Sequence, residues 1–107
     1  MVGLTEEGAA AEGIAFATGR ARFDANTRAA ISGASEGMVK LVFARDDLTV
    51  LGVHVLGEAA TELVHLGQAL IHFGGTIEYF IHTTFNVPTM SEAFKYAAYD
   101  GLRQVGR

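Results

Sequence analysis

The chain has 107 residues, the size of one domain, and half of them are apolar, which is enough for a single core. It contains no cysteine, so disulfide bonds, a thiolate nucleophile and thiolate zinc sites are excluded. Its formal net charge of −4 argues against nucleic acid as a partner, and no apolar run approaches the ~18 residues of a membrane-spanning helix.

The first residues, MVGLTEEG, are acidic and lack the basic start of a secretory signal, so we expect a cytoplasmic protein. Thr5, followed by Glu6 and Glu7, has the pattern of a helix N-terminus, where a hydroxyl caps free N–H groups and acids favour the helix dipole. We predict a short helix over residues 5–12, ended by Gly13.

The next part of the chain carries its strand signals. The segment 14–23 alternates apolar and polar residues, as a strand with one covered face does. The turn-rich segment 24–37 is predicted to be a loop. The β-branched runs 38–44 and 48–56 flank a short acidic turn, which predicts a hairpin. Both faces of the first run are apolar, so we expect at least partial cover on both sides of the sheet.

The C-terminal half is predicted to be helical. Residues 58–72 have a clear helical period and stop before Gly74, residues 76–83 form a shorter helix, and residues 90–104 form a third. In the first of these helices, the stripe expected to be buried consists of Ala59, Ala60, Leu63, Val64, Gly67, Leu70 and Ile71. With strands early and helices late, we predict an α+β two-layer domain with an antiparallel sheet packed against helices.

Histidines are the residues that most invite a metal site. Glu62 and His65 are three apart, a spacing that di-iron bundles use in pairs, but the pattern occurs once. His65 and His72 are two helical turns apart, too far to share an ion without a third ligand. We therefore expect this to be a solvated polar face without a metal ion. The alternative hypothesis is a free-standing binding module that uses the face of His65 and His72. His54, inside a predicted strand, is expected to be a hydrogen-bonded sheet residue.

The one proline, Pro88, lies directly ahead of the last helix. It restricts Val87 to extended conformations, and Thr89 with Glu92 has the spacing of a capping box. Two interpretations stay open: either Glu92 only caps the helix, or the rigid bend aims one residue at a neighbouring surface. Neither a GxGxxG nor a GxxxxGK phosphate loop is present, so the chain alone is not expected to bind a dinucleotide or ATP by those routes.

Five short motifs together resemble one family. The segment TMSE at 89–92, after the proline, resembles part of the H-P-T-x-x-E signature near the C-terminus of the flavin-dependent pyridine nucleotide–disulfide oxidoreductases. The other motifs follow the order of that family: VGLTEEGA at 2–9, GMVKLV at 37–42, LGVH at 51–54, and Gly57, Ala60, Glu62 and Leu63 in a G-x-x-A-x-E-L pattern. They cover essentially the whole chain.

The resemblance implies that residues 1–107 are the C-terminal dimerisation domain of a longer homodimeric enzyme, whose other domains bind FAD and NAD(P). It also implies that the chain starts inside the first strand of this domain, so we expect a truncated N-terminal strand. An exposed apolar surface of the sheet or the helices is expected to form an isologous two-fold interface. The chain alone is expected to hold no cofactor and no catalytic residue.

Within the family, GTIEYFIHTTFNVPTMSEAF is most similar to the transhydrogenase branch, which transfers hydride between NADPH and NAD through the flavin. Disulfide-reducing members have a histidine where Val87 stands, paired with the glutamate that Glu92 matches, and this histidine transfers protons to redox thiols. An isopropyl group cannot transfer protons, whereas hydride exchange between nicotinamides needs no such base.

The resemblance further implies that Val87 and Pro88 lie at the rim of the flavin bound by the partner subunit. Two other members of the family stay as alternatives. Mercuric reductases also lack the histidine but end in a Cys-Cys tail, which is absent from this sequence. Enzymes like dihydrolipoamide dehydrogenase have the same domain but use the histidine that Val87 replaces.

Overall fold

The computed structural model describes residues 1–22, 37–56, 60–82 and 93–106, with the backbone alone for 60–63. In chain order the elements in these ranges are β1 (Val2–Gly3), α1 (Glu6–Ala11), β2 (Phe16–Arg22), β3 (Met38–Ala44), β4 (Val50–Leu56), α2 (Ala60–His72), α3 (Glu78–His82) and α4 (Ala93–Gln104). The strands form one antiparallel sheet in the order β1-β4-β3-β2.

The hairpin of β3 and β4 forms the centre of the sheet. Its pairing has one irregularity of register, between Val42 and Phe43. In the turn, the Asp47 carboxylate accepts the backbone N–H of Thr49 at 3.0 Å, which holds the pKa of Asp47 below its ordinary value. Leu48 has a φ of 66°, which is uncommon for a residue other than glycine, and its side chain is buried. The hairpin predicted from the sequence is confirmed, with β4 starting after this turn.

One face of the sheet is covered by helices. Helix α2 packs against β4 and β1, α4 packs against β2 and β3, and α3 packs against α4. From β3, the side chains of Val39, Leu41 and Phe43 enter the core that these helices cover. In this core, Phe80 stacks on Phe94 with ring centroids 4.9 Å apart and ring planes 11° apart. The alternate residues predicted to share one face of β3 therefore form its inner face.

The opposite face of the sheet is partly covered. Val42 of β3 and Ala9 of α1 are both fully buried, yet neither belongs to the main core. Helix α1 packs against β2, and Thr5 caps α1 by accepting the N–H of Gly8 at 2.9 Å. The predicted cover on both sides of β3 is therefore confirmed at Val42.

The α+β class, with an antiparallel sheet packed against helices, is as predicted. Strand β1 has too few residues for a periodic pattern, and only the family resemblance indicates a strand there. Residues 24–36 of the predicted loop and residues 83–92 around the predicted bend lie outside the described residues. Within the described ranges, no helix is long and apolar enough to cross a membrane.

Candidate functional site

An exposed aromatic ring stands at the C-terminal end of α2. Phe73, the residue after the helix, has 83% of its surface exposed. Its ring meets the ring of His72 edge-on, with centroids 4.9 Å apart. Full burial of a side chain of this size would stabilise the fold by about 1.5–3 kcal/mol, and an exposed ring does not gain this free energy. Exposed apolar groups of this size mark interaction surfaces when further apolar residues surround them.

The turn after α2 fixes the position of Phe73. Gly74 has a φ of +69°, a left-handed conformation that ends the helix at little steric cost. The N–H of Gly75 donates to the carbonyl of Leu70 at 2.9 Å, and the carbonyl of Gly75 accepts the N–H of Val50 in β4 at 2.9 Å. The chain therefore returns to the sheet directly after Phe73, which leaves the ring on the outer side of the helix.

The outer side of α2 is exposed and has an unusual composition. On the inner side, Gly67 lies so close to the sheet that a Cβ there would be 2.5 Å from a methyl carbon of Val53. The exposed residues of the helix recur at helical spacing on the other side: His65, Gln68, Ala69 and His72. In the part of α2 whose side chains are described, this outer side has no Lys, Arg, Asp or Glu.

A groove lies between α2 and α3, beside Phe73. It has a volume of about 270 Å³ and is lined by Leu66, Ala69, Leu70, Phe73 and Tyr79; we call it the α2–α3 groove. The wall formed by Tyr79 is anchored, because this ring packs edge-on against Phe80, which is fully buried in the core. The groove can therefore receive an apolar group, and it offers only the Tyr79 hydroxyl as a polar side-chain partner.

A second cavity, of about 340 Å³, lies where β3 begins and β4 ends. It is lined by Met1, Arg20, Met38, Lys40, His54, Val55 and Leu56. Its cations are already paired: Glu6 accepts hydrogen bonds from Lys40 at 2.8 Å and from Arg20 at 3.4 Å. The Lys40 hydrogen bond holds the pKa of Glu6 below its ordinary value. An anion that entered this cavity would have to compete with Glu6.

Helix α4, which follows the predicted bend, is held closely against β2. A Cβ on Gly19 would lie 2.7 Å from the backbone nitrogen of Gly101. The carboxylate of Asp100 accepts the backbone N–H of Arg20 at 2.9 Å. The C-terminal half of α4 therefore has a fixed place against β2.

The residues expected to form the flavin rim and the capping box lie outside the described residues, so their roles stay predictions: Val87, Pro88, Thr89 and Glu92. The predicted hydrogen bond of His54 is confirmed, because its Nε2 atom lies 3.2 Å from the carbonyl oxygen of Leu4. On the outer side of α2, His65 Nδ1 lies 3.2 Å from Gln68 Oε1. Among the described residues, no three His, Asp or Glu side chains are placed to hold a metal ion.

The sequence pattern predicted the inner side of α2 but did not identify the α2–α3 groove. Gly67 and Leu70, both in the predicted stripe, are buried. Ala69 and Phe73 are four residues apart and form an apolar pair on the outer side of α2. This pair is the one feature of the sequence pattern that indicates the groove. Tyr79 is brought beside them only by the turn after α2, which periodicity does not show.

The comparisons with known proteins agree on one family. The family model described as "Pyridine nucleotide-disulphide oxidoreductase, dimerisation domain" matches residues 1–98. A soluble pyridine nucleotide transhydrogenase from Serratia proteamaculans is 46% identical over 107 residues, which are 97% of this chain and 23% of that protein. The chain thus spans less than a quarter of the length of this curated relative.

Solved structures show the same fold. LpdA from Mycobacterium tuberculosis superposes with a TM-score of 0.82 at 26% identity, over 92% of this chain and 21% of that one. The flavoprotein disulfide reductase RclA from Escherichia coli superposes with a TM-score of 0.85 at 22% identity, over 92% of this chain and 22% of that one. In both cases the match is to a small part of a much longer chain.

Proposed function

Because the chain belongs to the dimerisation-domain family of the pyridine nucleotide-disulphide oxidoreductases, we propose that residues 1–107 are the C-terminal dimerisation domain of a longer homodimeric flavoenzyme. The rest of that enzyme would hold the FAD- and NAD(P)-binding domains. The transhydrogenase from Serratia proteamaculans is about four times as long as this chain, which leaves room for both domains. Its name describes it as soluble, and this supports a cytoplasmic location.

The activity that we propose for the longer protein is hydride transfer between NADPH and NAD. One observation carries this proposal: the 46% identity, over 97% of the chain, to a soluble pyridine nucleotide transhydrogenase. The chemistry that FAD would supply when bound is hydride transfer to and from nicotinamides. The contribution of this chain would be the interface and, through Val87 and Pro88, the rim of the flavin site of the partner subunit.

The residues of this chain support placing the cofactor sites in other domains. Its sequence has no GxGxxG or GxxxxGK loop that could hold a pyrophosphate. In the second cavity, Lys40 and Arg20 already donate to Glu6. The groove beside Phe73 is apolar and would not pair with a phosphate. The phosphates of FAD and NAD(P) would therefore be bound by the other domains, and this chain would contribute only the rim of the flavin site.

Val87 supports transhydrogenation over disulfide reduction. An aliphatic side chain neither accepts nor donates a proton, so it cannot serve redox thiols as the family histidine does. Hydride transfer between two nicotinamides moves a hydride and has no thiol to protonate. The dihydrolipoamide dehydrogenase-like alternative is therefore disfavoured by chemistry, and the mercuric reductase alternative by the identity to a transhydrogenase.

An assay of the longer enzyme tests this proposal. We expect the purified enzyme to transfer hydride from NADPH to a nicotinamide analogue with a shifted absorbance, such as thio-NAD. With lipoamide or glutathione disulfide as acceptor, we expect NADPH oxidation at the rate of the control without acceptor. Rapid reduction of either disulfide, or a redox-active cysteine pair in the longer sequence, would overturn the assignment.

A further inference from the structure

We propose that the second cavity, where β3 begins and β4 ends, is a binding site for an aliphatic monocarboxylic acid. The carboxylate of this ligand pairs with Lys40 and Arg20, and its tail packs on the apolar side chains beside them. The inference goes beyond the proposed function and does not depend on it. Three observations support it: the order of side chains across the sheet, a carboxylate that the two cations already hold, and the size of the cavity.

The pairing register places three basic residues in one row across the sheet. Arg20 of β2 lies opposite Lys40 of β3, and Lys40 lies opposite His54 of β4. Directly opposite side chains on one face of a sheet have Cβ atoms about 4.5–5.5 Å apart, and like charges in such a pair are destabilising. An anion beside the row therefore offsets a repulsion that the register itself creates.

The next row on the same face is apolar. Met38 lies opposite Leu56, and these two residues are each two positions along their strands from Lys40 and His54. Because alternate residues of a strand share a face, the two rows are neighbours on one side of the sheet. Leu56 is 64% exposed, and Met1, which also lines the cavity, is 70% exposed. A basic row beside an exposed apolar row matches a ligand with one anionic end and an aliphatic tail.

The carboxylate of Glu6 shows that the basic row holds an anion of this kind. Its Oε1 atom accepts hydrogen bonds from Lys40 Nζ at 2.8 Å and from Arg20 Nη2 at 3.4 Å. Two cations share this one carboxylate, so the group of three keeps one positive charge. An ammonium has three N–H donors and a guanidinium has five, so each cation can donate to a second carboxylate. Glu6 is thus both a stand-in for the head group of the ligand and its competitor.

The volume of the cavity sets the length of the tail. About 340 Å³ lies at the lower end of the ~300–1,000 Å³ that is usual for small-molecule sites. An apolar cavity of roughly 150 Å³ holds benzene, so this cavity has room for about a dozen non-hydrogen atoms. Octanoate, an eight-carbon carboxylate, is of this size. The cavity therefore suits a medium-chain acid better than a long-chain one.

Titration of the 107-residue chain with octanoate, followed by ¹⁵N–¹H correlation spectra, tests the site. We expect saturable shifts of the amide signals of residues 20, 38–40 and 54–56. Over the series from butanoate to octanoate, affinity should rise about fourfold for each methylene, the effect of burying one CH₂ group. Octylamine has the same tail with the opposite charge, and it should bind at least about tenfold more weakly than octanoate.

Three substitutions separate the charge of the site from the charge of the whole chain. Lys40→Gln removes a charged donor and should weaken octanoate binding at least about tenfold. Glu6→Gln removes the competing carboxylate, so it should tighten binding about fivefold or more. Arg45→Gln is the matched control, because it removes the same charge as Lys40→Gln at the other end of β3, and it should leave the affinity within about twofold. Circular dichroism of each variant checks its fold.

The outcomes that would overturn the site are distinct from one another. Equal binding by the wild type, Lys40→Gln and Glu6→Gln, or binding of octylamine as tight as that of octanoate, would show that the cations do not hold the head group. Amide shifts confined to residues 66–79 would assign the tail to the α2–α3 groove. The absence of saturable binding up to about 10 mM octanoate would exclude the site. Each of these results would leave the proposed dimerisation and hydride transfer standing, because other assays test them.

Discussion

At the scale of single residues, Asp100 shows how one carboxylate ties α4 to an edge strand. Its oxygens accept the backbone N–H of Arg20 and side-chain N–H groups of Arg103 and Gln104. Burial acts to raise the pKa of Asp100, and it is the largest single influence. The hydrogen bonds together outweigh it, so the pKa lies below its ordinary value. The ionised form therefore stabilises the fold.

We expect Asp100→Asn to lower the free energy of unfolding by about 1–2 kcal/mol at pH 7, where the hydrogen bonds have a charged acceptor. A carboxyl whose pKa is lowered by folding contributes its stability above its unfolded pKa, near 3.8, and loses it as the pH falls through the lower folded value. The difference between wild type and variant should therefore shrink below about pH 4. Urea unfolding at pH 7 and pH 3 measures it, and an equal difference at both pH values would contradict the role of the charge.

Val87 allows a second prediction at this scale, in the longer enzyme. Val87→His should leave hydride transfer from NADPH to thio-NAD within about twofold, because the proposed reaction uses no proton relay at this position. It should also create no disulfide reductase activity, since an imidazole supplies a base but no redox thiols. Steady-state rates with thio-NAD and with lipoamide measure both effects. A variant that gains lipoamide reduction would show that the thiols are present and the proposed chemistry is wrong.

At the scale of elements, the approach of α4 to β2 depends on glycine. A Cβ on Gly19 would lie 2.7 Å from the nitrogen of Gly101 and closer still to the carbonyl oxygen of Ala97. Both are backbone atoms of α4, so neither can rotate away as a side chain could. The helix and strand would have to separate, which would disturb the core around Phe43 that α4 covers.

Gly19→Ala is therefore expected to cost at least about 2 kcal/mol of unfolding free energy, in the range of overpacked cores. Gly13→Ala is the matched control, because a Cβ there meets no atom within 4 Å and only its φ of +74° opposes the change. We expect the control to cost about 1 kcal/mol. Urea unfolding of the two variants measures the comparison. A Gly19→Ala variant as stable as the control would mean that the contact relaxes without loss.

The elements differ in how far the sequence predicts them, and for physical reasons. Strand β3 matches its predicted bounds because its β-branched run pairs along its whole length. Strand β4 begins later than predicted, since Leu48 takes a positive φ to bury its side chain in the turn. Strand β1 has two residues and is defined by its pairing with β4. Such a tertiary contact produces no periodic pattern in the local sequence, so periodicity could not predict this strand.

At the scale of the whole molecule, the class of site could be predicted but its location could not. Family motifs indicated a dimerisation domain, and the family match confirms it. The α2–α3 groove, however, is lined by Ala69 and Phe73 on one side of a turn and by Tyr79 on the other. Their proximity depends on the path that the chain takes through this turn, which the local sequence pattern does not show. The sequence does show that residues 63–77 contain no charged residue. This composition is typical of the core of a protein interface, and helical periodicity does not report it.

The proposed homodimer would make the stability of the chain depend on its concentration. If the native state is the dimer, a hundredfold rise in chain concentration adds about 2.7 kcal/mol per dimer, or about 1.4 kcal/mol per chain. For a domain of this size, we expect the thermal midpoint to rise by roughly 5 to 10 °C over that range. Differential scanning calorimetry over the same concentrations measures the midpoint, and a midpoint that stays constant would contradict dimer-linked stability.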